Sequence, residues 1–253
     1  MSCLPDKNTD YSSVDYWNER YGSEESFEWC KSYSVFKDLI RKEVQPSDRI
    51  LMLGCGNSSL SEDMYRDGFH NITNVDYSTV VVENMKNRSE EARSMQWLVM
   101  DIKDLKFESG SFDIVIEKAT LDALLVGERD PWSLSSDSRT LMDDILIQVS
   151  QVLSSRGRFI SITFAQPHFR KRIYARELYG WSIRTETFGD GFHFFFYVMT
   201  KGERLSDHDA QLDKSAWTNN HNNLESQPAV TRLQQREDNN DDCSSSYLNS
   251  IEM

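Results

Sequence analysis

Arg49-Ile-Leu-Met-Leu-Gly-Cys-Gly-Asn-Ser58 decides the fold: an apolar run ends in two glycines, Gly54 and Gly56. Twenty positions beyond Gly56, the acidic Asp76 closes a second apolar run as Val75-Asp76-Tyr77. Glycines let the backbone turn sharply after a strand and approach a ligand that a Cβ would block. A carboxylate at the end of the next strand can then accept hydrogen bonds from ribose hydroxyls. A bare G-x-G fits any tight turn, but with the carboxylate in place the pair predicts a nucleotide-type cradle.

Working outward, short apolar runs at Arg49–Leu53, Ile72–Val75, Met95–Met100, Phe112–Glu117 and Arg158–Phe164 are separated by segments long enough for helical crossovers. That spacing predicts parallel pairing. Ser78 stands as a cap before helically spaced apolar residues, and the pattern over Asp137–Leu153 predicts the clearest helix. Gly157 is expected to cap its C-terminus. The last two runs, Ser182–Thr187 and His193–Thr200, are separated only by Phe188-Gly-Asp-Gly-Phe192, which predicts an antiparallel hairpin.

The 253 residues suffice for one substantial α/β core with extensions. A formal net charge of −13 argues against a nucleic-acid binder and suits a neutral or basic partner. Cys3, Cys30, Cys55 and Cys243 form no C-x-x-C pair, so neither a zinc site nor a disulfide framework is expected. No apolar run reaches membrane-spanning length, and the N-terminus has no secretory or presequence pattern, so a cytoplasmic protein is expected. Residues 1–12 are expected to be flexible and residues 13–201 to form the domain. Residues 202–253, rich in Asn, Gln, Ser and Asp, are expected to form a disordered acidic tail. Within it, Asp207-His-Asp209 reads as solvated and Tyr247–Ile251 as a functionless end, with a short docking peptide as the alternative.

Leu53-Gly-Cys-Gly-Asn-Ser58, Val75-Asp-Tyr-Ser78, Met100-Asp-Ile102 and Phe112-Asp-Ile-Val-Ile-Glu-Lys-Ala-Thr-Leu-Asp122 resemble, in order, the motifs of class I S-adenosylmethionine-dependent methyltransferases. The resemblance is to the branch that methylates lysines of translation elongation factor 1A. It extends over Asp15–Tyr21, Phe27-Glu-Trp29, Gly127–Trp132, Gly180-Trp181 and the Gly189–Tyr197 segment, essentially all of 14–201. It implies an α/β fold: a seven-stranded Rossmann-like methyltransferase sheet, five parallel strands plus the C-terminal antiparallel hairpin, with helices on both faces. It also implies S-adenosyl-L-methionine as cofactor and a basic surface lysine of elongation factor 1A as substrate. A monomer is expected, with no direct contact to nucleic acid or membrane. Three positions depart from the general pattern. Met52 stands where an acidic residue is usual and Ser58 where a third glycine is usual, though the Leu-Gly-Cys-Gly-Asn-Ser form is usual within the branch. Ala119 stands where glycine is expected, a mild change if its φ is negative.

Carried onto these positions, the resemblance implies that Gly54 approaches the amino-acid end of the cofactor and Asp76 the ribose hydroxyls. It places Tyr77 beside the adenine, Asp101 and Ile102 at the adenine edge, and Lys118 pointing at the cofactor or offering its backbone to it. Trp17 and Tyr21, four residues apart and so on one helix face, would form with Trp29 an aromatic lid over the sulfonium. Glu117, Thr120 and Asp122 are the candidate catalytic acceptors at the carboxyl edge of the sheet, where open α/β folds bind ligands. The bland reading of Glu117 and Asp122 is that they cap the following helix. His168, after the fifth strand, is a candidate for substrate contact, whereas His193 reads as a packed or rim histidine. Three other functions stay open at this point: a nucleotide-dependent oxidoreductase, a small-molecule methyltransferase and a non-catalytic binding module.

Overall fold

The apolar run before the two glycines forms β1 (Ile50–Leu53), buried at all four positions. In the computed structural model, which describes residues 5, 7–128, 130 and 134–214, six further strands join it. They are β2 (Ile72–Asp76), β3 (Gln96–Val99), β4 (Phe112–Lys118), β5 (Leu153–Thr163), β6 (Trp181–Phe188) and β7 (Phe194–Lys201). The sheet order is β3-β2-β1-β4-β5-β7-β6. The first five strands pair in parallel, and β7 runs antiparallel to both β5 and β6. The expected layout of five parallel strands plus a hairpin is the one found.

The helices are α1 (Val14–Ser23), α2 (Tyr33–Glu43), α3 (Leu60–Arg66), α4 (Thr79–Arg88), α5 (Thr120–Leu124), α6 (Ser136–Val152) and α7 (Pro167–Tyr174). They cover both faces of the sheet, as strand alternation requires. Ile50 and Met52 of β1 and Ile114 and Ile116 of β4 pack with Phe36, Ile40 and Met64 from α2 and α3. Leu51, Leu53 and Val115 pack on the opposite face against Met142, Ile145, Leu146 and Val149 of α6. That helical spacing is the reason α6 was legible. Its N-cap is Ser135, whose hydroxyl accepts from Ser138 N–H at 3.2 Å, and Ser78 caps α4 by accepting from Val81 N–H at 3.2 Å.

Three expectations are corrected. Gly157 does not cap α6: the chain passes from Val152 straight into β5, and Gly157 lies within that strand. A Cβ there would stand 2.9 Å from the Asp113 carbonyl oxygen, where the β4–β5 register shifts, so the glycine serves close strand approach. Residues 8–12, placed in the flexible N-terminus, form a 3-10 turn whose Tyr11 is buried against Tyr16, Trp17 and Trp29. At the other end, residues 207–214 are helical rather than part of a disordered tail. Asp209, read as solvated, is only 2% exposed and pairs with Lys171 at 2.9 Å, while Asp213 pairs with Arg176 at 3.2 Å. The rest of the expected tail, from 215 onward, lies outside the described residues, as do Pro131 and Trp132 of the resembling segment.

These ion pairs generate a prediction. A chain ended after Lys201 strips Lys171 and Arg176 of these partners, a loss of about 1–3 kcal/mol at partly buried donors. It should therefore melt several degrees below a chain ended after Lys214, in calorimetry of both. Equal melting temperatures would return 202–214 to the tail.

Candidate active site

The sheet order reverses direction between β1 and β4, and ligands of open α/β folds bind in the crevice outside such a switch point. Gly54 and Gly56 turn the chain there with φ of +57° and +52°, left-handed values that a Cβ disfavours. A Cβ on Gly54 would overlap the Thr120 side chain, and one on Gly56 would lie 3.0 Å from the Tyr21 hydroxyl. Thr120 Oγ1 donates to the carbonyls of Leu53 and Gly54 at 3.0 and 3.2 Å. Asp76 Oδ2 accepts from Gly56 N–H and Oδ1 from Ser78 N–H, both at 3.0 Å. Turn and carboxylate are thus bonded to each other. Burial pushes the Asp76 carboxyl up to about 6 in spite of those donors.

Around this turn opens a cleft of about 1210 Å³ including its mouth, and every nominated site residue except Glu117 lines it. Asp101 stands at the end of β3, its Oδ1 accepting from Lys103 N–H at 2.9 Å. Tyr77, Ile102 and Lys118 also border the cleft, whereas His168 and His193 do not. Met52 contributes an apolar wall where the general pattern has a carboxylate. Ser58, in place of the third glycine, accepts from Leu60 N–H at 3.1 Å in the turn just ahead of α3, whose N-cap position is Ser59.

The N-terminal segment forms the outer wall. Trp17 and Tyr21 share a helix face as expected, their rings stacked at 5.3 Å, and Trp17 Nε1 donates to the Tyr11 carbonyl at 2.8 Å. Two residues that sequence reading passed over hold this wall. Arg20 lies 4.9 Å from the Phe27 ring and 5.4 Å from Trp29, and its Nε pairs with Glu24 at 3.0 Å. A protein cation therefore already occupies part of the aromatic cluster. Glu28 accepts from Ser58 Oγ at 2.9 Å, Ser59 N–H at 2.5 Å and Lys118 Nζ at 2.8 Å. Lys118 Nζ also donates to the Trp29 carbonyl at 2.6 Å, so its charge ties the wall to β4 rather than pointing into the cleft. Glu28 was quoted only inside Phe27-Glu-Trp29; its position between two cleft aromatics was the available signal.

The 117–122 motif divides into different jobs. Glu117 is fully buried and its Oε2 accepts from Thr120 and Leu121 N–H at 2.9 and 3.2 Å, while Oε1 accepts from Ser161 Oγ. Its nomination as a catalytic acceptor is corrected to the capping role, because both oxygens face inward. Thr120, nominated with it, borders the cleft but directs its hydroxyl to the β1 carbonyls. Ala119 has φ of +60°, so its place in the motif is strained rather than mild. Asp122 differs from both: its Oδ1 accepts from Thr163 Oγ1 at 2.8 Å and from Arg170 Nη2, but Oδ2 is buried without a hydrogen-bond partner among the described residues.

A model described as methyltransferase domain matches residues 51–160, and with the sheet order and the cleft at its switch point it defines a Rossmann-like methyltransferase. The fold also matches the 4+2 cyclase SpnF, with a TM-score of 0.53 at 12% identity over 81% of this chain and 100% of that one. That likeness concerns the fold alone, which can serve different chemistries. Sequence relatives are more specific. The chain is 52% identical over 206 residues to EEF1A lysine methyltransferase 4 of Bos taurus, covering 80% of this chain and 81% of that one. It is 50% identical to the Mus musculus protein of the same name, with the same coverage. The chain belongs to the EEF1A lysine methyltransferase 4 family.

The buried cap makes a prediction about pH. Burial, reinforced by the nearby Asp122 carboxylate, pushes Glu117 up to about 7. Between the unfolded value of about 4.3 and that point the folded chain holds more protons than the unfolded one, so stability falls as pH rises through the window. Glu117→Gln keeps an acceptor for both N–H groups and removes the titration. Its stability in urea should fall less from pH 5 to pH 7 than that of the parent chain, and equal slopes would remove Glu117 as the source.

Proposed function

We propose that this chain transfers a methyl group from S-adenosylmethionine to a lysine side chain of translation elongation factor 1A, acting as a monomer in the cytoplasm. The observation that carries the reading is the Asp122 carboxylate, half satisfied, on the wall of a cleft that the glycine turn and Asp76 also line. The names of the relatives supply the substrate, and the net charge of −13 favours a basic one.

The residues fit the cofactor. The glycine turn offers backbone without Cβ, Asp76 keeps lone pairs beyond its two N–H bonds for ribose hydroxyls, and Tyr77, Asp101 and Ile102 border the space beyond for the adenine. When bound, S-adenosylmethionine supplies an electrophilic methyl carbon on a sulfonium; the lysine nitrogen forms the N–C bond as the C–S electron pair leaves with sulfur. The chain's own work is to desolvate and orient. Trp17, Tyr21 and Trp29 keep water from the cleft. A lysine must first lose its proton, at a cost of about 4–5 kcal/mol at pH 7, and a dry cleft lowers that cost. Asp122 accepts from the amine and aims it, and the proton released passes to water.

Two measurements test the reading. Asp76→Ala removes a charged acceptor worth about 1.5–3 kcal/mol, so S-adenosylmethionine should bind more than tenfold more weakly in calorimetry. Because a hydroxyl donates to the ionised carboxylate, affinity in the parent chain should also weaken as pH falls through about 6. Unchanged affinity in both cases would overturn the ribose role. For the substrate, the chain is incubated with labelled cofactor and recombinant elongation factor 1A, and the product is mapped by mass spectrometry. Label on a lysine is the expected result; label on small molecules of a cytosolic extract, with none on the factor, would overturn it.

A further inference from the structure

Helix α7 carries Arg170 beneath the cleft, its guanidinium side chain 2% exposed. Nη2 donates to Asp122 Oδ1 and, at 3.2 Å, to Thr163 Oγ1. Thr163 in turn donates to the same Asp122 oxygen at 2.8 Å and is fixed by Ala165 N–H, which donates to it at 2.9 Å. One oxygen of Asp122 therefore takes two donors, while the other, itself buried, takes none among the described residues. A buried polar atom without a partner is uncommon in a folded protein and calls for a ligand or a role. Glu117, five residues earlier, shows the contrast: both its oxygens are bonded inside the fold.

We propose that Arg170, with Thr163, is the positioning residue of the acceptor site: it locks Asp122 Oδ1 and leaves Oδ2 for the ammonium or amine of the incoming lysine. This rests on the lysine-methylation reading but makes a claim of its own about which donor the cleft takes. The locked oxygen fixes the rotation of the carboxylate, so the free one has a single direction to offer. The guanidinium also favours the ionised form of the carboxylate. Burial raises Asp122 on balance above the ordinary carboxylate range, and Arg170 is the largest influence pulling it back down. The other titratable groups around it are Glu117 on β4, Tyr174 on α7, Tyr197 on β7 and Cys30 before α2. Lys118 on β4 is engaged with Glu28 and the Trp29 carbonyl, so Arg170 is the cation bonded to Asp122, and its loss makes the buried carboxyl easier to protonate and a weaker acceptor for an ammonium.

The test uses the full chain labelled with ¹³C-carboxyl aspartate and saturated with S-adenosylhomocysteine, with n-butylamine as the lysine mimic. The Asp122 signal, identified by its loss in Asp122→Asn, should shift on adding n-butylamine. In Arg170→Gln its titration midpoint should rise, and turnover on elongation factor 1A should fall roughly tenfold or more, with its acid limb displaced to higher pH by the same interval. Arg170→Lys should bring the limb back by restoring charge while turnover stays low, because the shorter lysine chain does not place its nitrogen where Nη2 bridges Asp122 and Thr163. Cofactor affinity should not change in either variant. If Arg170→Gln does not fold, Thr163→Val removes one of the two locks, and n-butylamine should then shift the Asp122 signal less.

An unmoved midpoint and limb in Arg170→Gln, with activity lost only in proportion to folded protein, would overturn the proposal. So would an Asp122 signal that responds to S-adenosylhomocysteine alone and not to n-butylamine. If the parent chain does not methylate the elongation factor yet n-butylamine shifts Asp122, the substrate reading fails and the acceptor site stands.

Discussion

The contact between Gly54 and Thr120 joins the two strands on either side of the switch point, and most of the site is built from it. Thr120 sits where a Cβ on residue 54 would have to be, and its hydroxyl bonds the two carbonyls that end β1. It reaches that place because Glu117 caps the first turn of α5 from below. On the other side, Gly56 gives its N–H to Asp76. A continuous set of bonds therefore runs from the end of β4 through the glycine turn to the end of β2. A buried carboxylate with three donors is costly to desolvate, but here it sets the start of the helix that carries Asp122.

The third wall is attached by charge rather than by the sheet. Glu28 reaches from the N-terminal segment to the start of α3 and to Lys118 at the end of β4. Arg20 fills the centre of the aromatic cluster that Tyr11, Trp17, Phe27 and Trp29 form over the cleft. Partly buried pairs of this kind contribute geometry more than stability, because desolvation offsets much of the Coulomb attraction. Their effect is to hold a short, largely irregular segment in one register against the glycine turn.

Much of this could be read along the chain. The glycine turn, Asp76, the crossover spacing, the α4 cap and the apolar stripe of α6 are local patterns, set by backbone sterics and by helical or strand period. They specified a parallel sheet with a terminal hairpin and located one side of the cleft. Glu117 and Asp122, by contrast, are five residues apart in one motif and are chemically alike. Whether each faces the core or the cleft depends on partners far along the chain, Ser161 for the first and Thr163 and Arg170 for the second. Gly157 looked like a helix cap because caps and close strand contacts call for the same residue. Asp209 looked solvated because nothing nearby in sequence announces Lys171.

What the sequence alone determined is therefore the set of elements, their order and the glycine-turn side of the cleft, since these rest on local conformational preference and on hydrophobic period. Only the tertiary structure decided which carboxylate is left with an open oxygen. Hydrogen-bond satisfaction is settled among groups that meet only when strands and helices pack, and no local pattern encodes which of two similar acids will be fully bonded and which will not.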